Sequence, residues 1–311
     1  MAQVVIFTPY DPEWPNLFEK EATRIKAALG SNCIEIHHIG STSIPGLSAK
    51  PIIDMLPVVR NILKVNSADM EALGHKSRGE LGMPFRRYFS NGAFHIHIWE
   101  EGADEIQKQL LFRDYMRTHP EDRIAYQKLK EYLSEKFRED RPIYTAKKDP
   151  FIKNILRKTE FNGFEFVQPA LEEDWYHYHR IRKEQIFDRH SHVIYDLNHW
   201  TITHPAHFHF ILKKLETVIG VVHVELLDEQ RAALRPFAID KLYQNQGYGT
   251  YLLKLIERWV VHQGRNILQL HANPRALTFY QRAGYKQHPF EEGEKDQLTK
   301  NCVDLLKNLH S

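Results

Sequence analysis

Three groups of residues have types and spacings that could do chemistry. In QNQGYGTYLL, residues 244–253, Gly247 and Gly249 lead straight into leucines at helical spacing. The first N–H groups of a helix are unpaired and carry about half a positive charge, so glycines there let backbone donors approach an anion such as a pyrophosphate. On spacing alone the same residues also make a plain turn. The third glycine of a dinucleotide fingerprint is missing, as is the Gly-Lys-Ser/Thr of a P-loop. In NPRALTFYQRAGY, Asn273 suits an N-cap, Pro274 the first helical position and Gly284 the residue past the end. These predict a helix from Pro274 to Ala283 with Ala276, Phe279, Tyr280 and Ala283 on one face. Tyr280 reads either as a core aromatic or as a proton donor, since a phenol of pKa about 10 stays protonated at neutral pH.

The third group lies in the first half. HHIGSTSIPGLSAKPIIDML carries Gly40, Ser41, Lys50 and Asp54, and the alternating stretch AFHIHIWE puts His95, His97 and Trp99 on one strand face, with Phe94, Ile96 and Ile98 on the other. Two histidines and an aspartate would suit zinc or another transition metal better than magnesium. Hydrogen-bonded histidines in a half-buried strand are the alternative, and no metal is assigned. Lys50, Arg86, Arg87 and Arg113 are candidates for an anionic ligand, or plain surface charge.

The elements that must position these groups follow from periodicity. LFEKEATRIKAALG reads as an amphipathic helix stopping at Gly30, CIEIHHIG as a strand, and PIIDMLPVV as a buried strand with the single aspartate Asp54. Residues from about 106 to 157 are helical and charged. An Asn-Gly turn in RKTEFNGFEF marks a boundary, giving an N-terminal domain 1–158, a linker 159–163 and a C-terminal domain 164–311. Beyond it come a helix in DWYHYHRIRKEQIFD, then AHFHFIL, TVIGVVHVELL and RAALRPFAI, three strands with hairpin-length turns that predict an antiparallel meander. The glycine loop, its helix to Gly264 and the strand NILQLHA follow. Length and pattern together predict two α/β domains with mixed sheets.

Composition sets the outer limits. The 311 residues are 42% hydrophobic and 26% charged, with formal net charge +2. No block of like charge recommends nucleic acid or an anionic membrane surface as partner. Cys33 and Cys302 are the two cysteines, which argues against a disulfide framework. No secretory pattern and no run of 18 apolar residues occurs, so a cytoplasmic protein is expected.

Gln244, Gly247 and Gly249 match every defined position of Gln/Arg-x-x-Gly-x-Gly/Ala, and Asn273, Ala276, Phe279, Tyr280, Gly284 and Tyr285 match a second ordered signature. In both the chain resembles the GNAT superfamily of N-acetyltransferases, over about residues 164–290. The resemblance implies acetyl-CoA as cosubstrate and direct transfer to an amine, from a small molecule or a peptide. It implies that the N–H groups of Gln246, Gly247, Tyr248, Gly249 and Thr250 hold the pyrophosphate. The strand RPFAID would splay from NILQLHA to admit the pantetheine arm, bonded to backbone near Phe237 and Ile239, and Tyr280 would protonate the departing thiolate. Many relatives place a glutamate base where Ala233 stands here. Glu225 is the nearest carboxylate candidate. It shares parity with His223, opposite Val222 and Val224, and the pair reads first as a solvated strand face.

HHIGSTSIPGLSAKPIIDML, with YDPEWP, the HIH strand, FRDYMRTHP and YQKLK, resembles the GrpB family over about residues 3–157. That implies a nucleotidyltransferase-like fold. Phosphoryl transfer there uses two metals on several carboxylates, and Leu56 stands where the second would be. The expectation is an acetyl-CoA-dependent N-acetyltransferase with a GrpB-like domain. The alternative is a nucleotide-binding or nucleotidyltransferase-type protein whose C-terminal half only binds CoA. A third possibility is a pair of domains joined for co-expression alone.

Overall fold

Apolar strand stretches and amphipathic or charged helical stretches recur along the chain and build two sheets with their helices. The computed structural model describes residues 7–189, 194–289 and 298–309. The chain divides into two compact units, Met1–Gly163 and Phe164–Ser311.

The first unit runs α1 (Trp14–Leu29), β1 (Cys33–Ile39), β2 (Ile53–Val59), α2 (Ser67–Ala72), β3 (Lys76–Ser77), β4 (Arg87–Ser90), β5 (Phe94–Glu100), α3 (Asp104–Thr118), α4 (Pro120–Lys136) and α5 (Arg141–Lys158). Helix α1 buries Trp14, Phe18, Glu21, Ile25 and Leu29, spaced by three and four residues, and ends at Gly30. The sheet order is β1-β2-β5-β4-β3. Strand β2 is antiparallel to β1 and parallel to β5. One sheet face packs with α1 on Met55, Val59, Phe89, Ile96 and Ile98. A separate core joins Ile44 and Leu47 to Met116, Tyr126 and Ile155 of α3–α5.

The second unit runs β6 (Glu165–Val167), α6 (Glu172–Gln185), β7 (His207–Lys214), β8 (Thr217–Leu226), β9 (Arg231–Ile239), α7 (Tyr248–His262), β10 (Ile267–Ala272), α8 (Leu277–Arg282), β11 (Lys286–Gln287) and β12 (Val303–Asn308). The sheet order is β11-β12-β10-β9-β8-β7-β6. Strands β7, β8 and β9 form the expected antiparallel meander. Helix α7 buries Leu252, Leu253, Ile256, Trp259 and Val260. Trp259 packs on Phe208 and Phe210, which leaves the other face of β7, with His207 and His209, to the α6 side. The helix expected over Pro274–Ala283 is shorter: a 3-10 turn, Pro274–Ala276, precedes α8. The Asn273 side chain accepts from Arg275 N at 3.0 Å and closes the tighter turn first. No helix among the described residues is long and apolar enough to cross a membrane.

Candidate functional site

In the second unit the site begins with a fault in the sheet. On β9 the pairs Leu234↔Val224 and Phe237↔Val222 leave two residues, Arg235 and Pro236, opposite His223 alone. That is a β-bulge, and Pro236 brings no N–H to it. The parallel pairing of β9 with β10 stops at Leu234↔Leu270, the residue before the bulge, although both strands continue. Phe237 and Ile239 therefore lie on the stretch of β9 that has parted from β10.

The glycine loop follows directly. Asp240 is buried; its carboxylate accepts from Leu242 N at 3.1 Å and from the Arg180 guanidinium. Gln244 Nε2 donates to Ile239 O at 2.9 Å and to Gln185 at 3.0 Å, and Gln246 Nε2 donates to Leu242 O at 2.9 Å. The loop is thus tied to β9 and α6 before α7 begins. Gly247 has φ +87°, a left-handed conformation that favours glycine, whereas Gly249 is not so constrained. A Cβ at Gly249 would instead fill the space 3.5 to 3.7 Å from Phe279 and Ile239. One glycine serves the turn, and the other sits where a Cβ would be in ordinary contact with its neighbours. Gln246 and Thr250 are exposed there, with Tyr248 half-buried.

On the far side, Phe279 stacks on Phe237 at 6.2 Å, and Tyr280 packs edge-on between Phe279 and Tyr285 at 5.0 and 5.7 Å. Burial, then the nearby Cys302, raises the Tyr280 phenol above its ordinary value, so it stays a donor. Asn273 is a cap and Ala276 sits half-buried in the turn before α8.

Glu225 lies directly opposite Ala233 on β9 and directly opposite His207 on β7, so all three side chains share a sheet face. Its carboxylate accepts from Arg235 Nε at 2.7 Å and lies 3.8 Å from His207 Nε2. The expectation of a solvated strand face is corrected here, because His207, His209 and His223 are buried under α6 and the Trp200–Ile202 turn. His207 Nδ1 and His223 Nε2 are 2.8 Å apart. His209 Nε2 donates to Thr201 O at 2.9 Å, which leaves Nδ1 to accept from Tyr178 Oη at 2.6 Å. Burial pushes His209 down to about 4 and lowers His207 and His223 as well, so the cluster is neutral.

In the first unit a cavity of about 320 Å³ opens beside β2 and β5. Ser41, Lys50, Asp54, His95 and His97 line it, as do Arg86, Tyr88, Lys130 and Lys148. Asp54 is held by His95 Nδ1 at 3.2 Å and His97 Nε2 at 3.8 Å. A Cβ at Gly40, φ +68°, would lie 2.3 Å from Asp54 Oδ2, so glycine is required where this carboxylate packs. Lys130 donates to Ser48 O at 2.6 Å and Ser41 Oγ at 3.2 Å. Burial, then Lys148, pushes its ammonium down to about 7. Arg87 and Arg113 fall outside this lining: Arg87 lies 3.8 Å from Glu80, and Arg113 bonds Asp114 and His38 O. Leu56 is fully buried on the face it shares with Asp54, so no second carboxylate comes from β2.

Residue types and spacing missed Lys130, Tyr88, His207 and Arg235. Lys130 had a signal: it falls on the same face of α4 as Tyr126 and Leu133, where a charge is unexpected.

Residues 4–158 match the family model described as GrpB protein, and residues 168–285 match that of the Acetyltransferase (GNAT) family. The UPF0157 protein YqkA of Bacillus subtilis is 43% identical over 150 residues, 46% of this chain and 44% of that protein, so the chain spans less than half of that relative's length. The UPF0157 protein BH1888 of Halalkalibacterium halodurans is 34% identical over 154 residues, 48% of this chain and 79% of that protein. A solved acetyltransferase of the GNAT family from Staphylococcus aureus Mu50 aligns at 15% identity and TM-score 0.40, covering 48% of this chain and 100% of its own.

Proposed function

Since the chain belongs to the GrpB family through residues 4–158 and has a GNAT acetyltransferase fold over 168–285, we propose that it transfers an acetyl group from acetyl-CoA to an amine. The observation that carries this reading is the parting of β9 from β10 at the Arg235–Pro236 bulge, with the glycine loop at its end. The N–H groups from Gln246 to Thr250 would take the pyrophosphate, where the dipole of α7 favours negative charge. The backbone of Phe237 and Ile239, freed from β10, would bond the pantetheine amides, and Gln244 and Asn273 hold the backbone turns that frame the slot. Bound there, acetyl-CoA supplies an activated thioester.

Tyr280 holds a proton at Oη for the departing sulfur. Glu225 stands one strand from the usual place of the base and is the carboxylate for the amine proton, directly or through water, with Arg235 fixing its orientation. The base matters in proportion to the acceptor: an alkyl amine of pKa about 10.4 is under about 0.1% deprotonated at pH 7, while an α-amine near 7.7–8.0 is substantially so. Cytoplasm is the compartment that suits this reading.

The test is CoA thiol release by the full chain from acetyl-CoA across small-metabolite amines, aminoglycosides, polyamines and peptides. One amine class should support turnover, and acetyl-CoA alone should raise the unfolding midpoint as RT ln(1 + [L]/Kd) predicts. No rise at saturating acetyl-CoA overturns the reading. A second reading is favoured by the cavity lined by Lys50, Lys130 and Lys148: the GrpB unit takes a nucleotide or other anion, and the C-terminal half only binds CoA.

A further inference from the structure

Three side chains from two neighbouring strands converge in the first unit. Asp54 and His95 stand directly opposite in the parallel β2–β5 pair, and His97 follows on the same face. Asp54 Oδ1, His95 Nδ1 and His97 Nε2 face one another, and the cluster's ligand atoms all lie within 4.8 Å of one another. The group is held from two sides: Gly40 packs on Asp54 Oδ2, and the Tyr88 ring lies 5.9 Å from His95 and 4.9 Å from His97.

We propose that Asp54, His95 and His97 hold one divalent transition-metal ion whose remaining positions open into the cavity, toward an anionic oxygen ligand of the phosphate class. A tetrahedral ion with bonds of about 2.0–2.1 Å sets its ligand atoms roughly 3.3–3.4 Å apart. The separations of 3.2 and 3.8 Å from Asp54 Oδ1 reach that with shifts of a few tenths of an ångström. Two imidazoles and one carboxylate suit zinc, cobalt or iron, whereas magnesium prefers an all-oxygen shell. Three protein ligands leave a position open, as a reactive or ligand-binding centre needs. Lys50, Lys130 and Lys148 line the same cavity and would take the outer oxygens of the anion, with Ser41 beside Lys130. Arg86 Nη1 lies 3.4 Å from His97 Nδ1, at the edge of hydrogen-bond range. A metal at Nε2 puts the remaining proton on Nδ1, so that contact is given up. Arg86 keeps the carbonyls of Glu80 and Leu81. The proposal stands apart from acetyl transfer, which belongs to the other unit.

The full chain, stripped with chelator and dialysed, is titrated with Zn²⁺ by equilibrium dialysis and with Co²⁺ by visible absorption. One tight equivalent is expected, undisturbed by excess Mg²⁺. Asp54→Asn, His95→Gln and His97→Gln should each weaken it by about tenfold or more, since even outer-shell partners of a metal carry about 10–100-fold. Inorganic phosphate should change the Co²⁺ spectrum of the wild type. Because the wild-type titration needs no variant, a variant that fails to fold does not blunt the test. No tight equivalent in the wild type overturns the proposal, as does an equivalent that survives all three substitutions in folded protein. A Co²⁺ spectrum indifferent to phosphate overturns the open position.

Discussion

Tyr280 and Lys130 show what burial does to two residues of opposite kinds. Burial keeps the Tyr280 phenol protonated, which is the state a general acid needs. Tyr280→Phe should leave the acetyl-CoA Kd, measured calorimetrically, within about twofold and lower turnover by about 10²-fold or more, the usual scale of general acid catalysis. An equal loss of binding would make the residue a packing element alone. Burial makes Lys130 give up its proton near pH 7, while an unfolded lysine keeps its own to about 10.4. Between those values the unfolded chain binds the extra proton, so the stability of this unit rises with pH, by up to about 1.4 kcal/mol per unit. The penalty is fully present below about pH 7. Lys130→Met should flatten the pH dependence of the urea midpoint between pH 7 and 9 and raise the midpoint at pH 7. Sequence reading assigned Lys130 no role, because the depth of a lysine depends on which helix face the sheet covers. Asp54, His95 and His97 could be grouped from the sequence by residue type, and strand alternation put the two histidines on one face.

At the scale of elements, the loop proposed to receive the pyrophosphate is positioned by its braces more than by its glycines. Asp240 ties it to α6 through Arg180 and closes the turn through Leu242 N. Asp240→Ala removes about 1–2 kcal/mol of bracing, so the acetyl-CoA Kd should rise about 5- to 30-fold with the helical circular dichroism unchanged. The loop itself and the meander before it could be read from QNQGYGTYLL and three closely spaced strands. The bulge could not: Pro236 in a strand warns of an irregularity, but only the register with β8 shows which residue is left over. The adjacency of β2 and β5 was equally hidden. It requires a crossover through α2, β3 and β4, and sequence periodicity carries faces without carrying neighbours.

At the scale of the whole molecule, each unit closes its own core, one around α1 and β2, the other around α6 and β8. Calorimetry of the full chain should therefore resolve two transitions, with acetyl-CoA raising one and Zn²⁺ the other. A single transition moved by both ligands would show that the units unfold together. The divergence of β9 from β10 has a further consequence, visible in time. Backbone hydrogens of β9 beyond Leu234 that point away from β8 meet no strand, so they trade with solvent quickly, while those of 231–234 are laddered on both edges. Deuterium uptake over 235–239 should slow when acetyl-CoA completes the ladder. Uptake over 231–234 should keep its original rate.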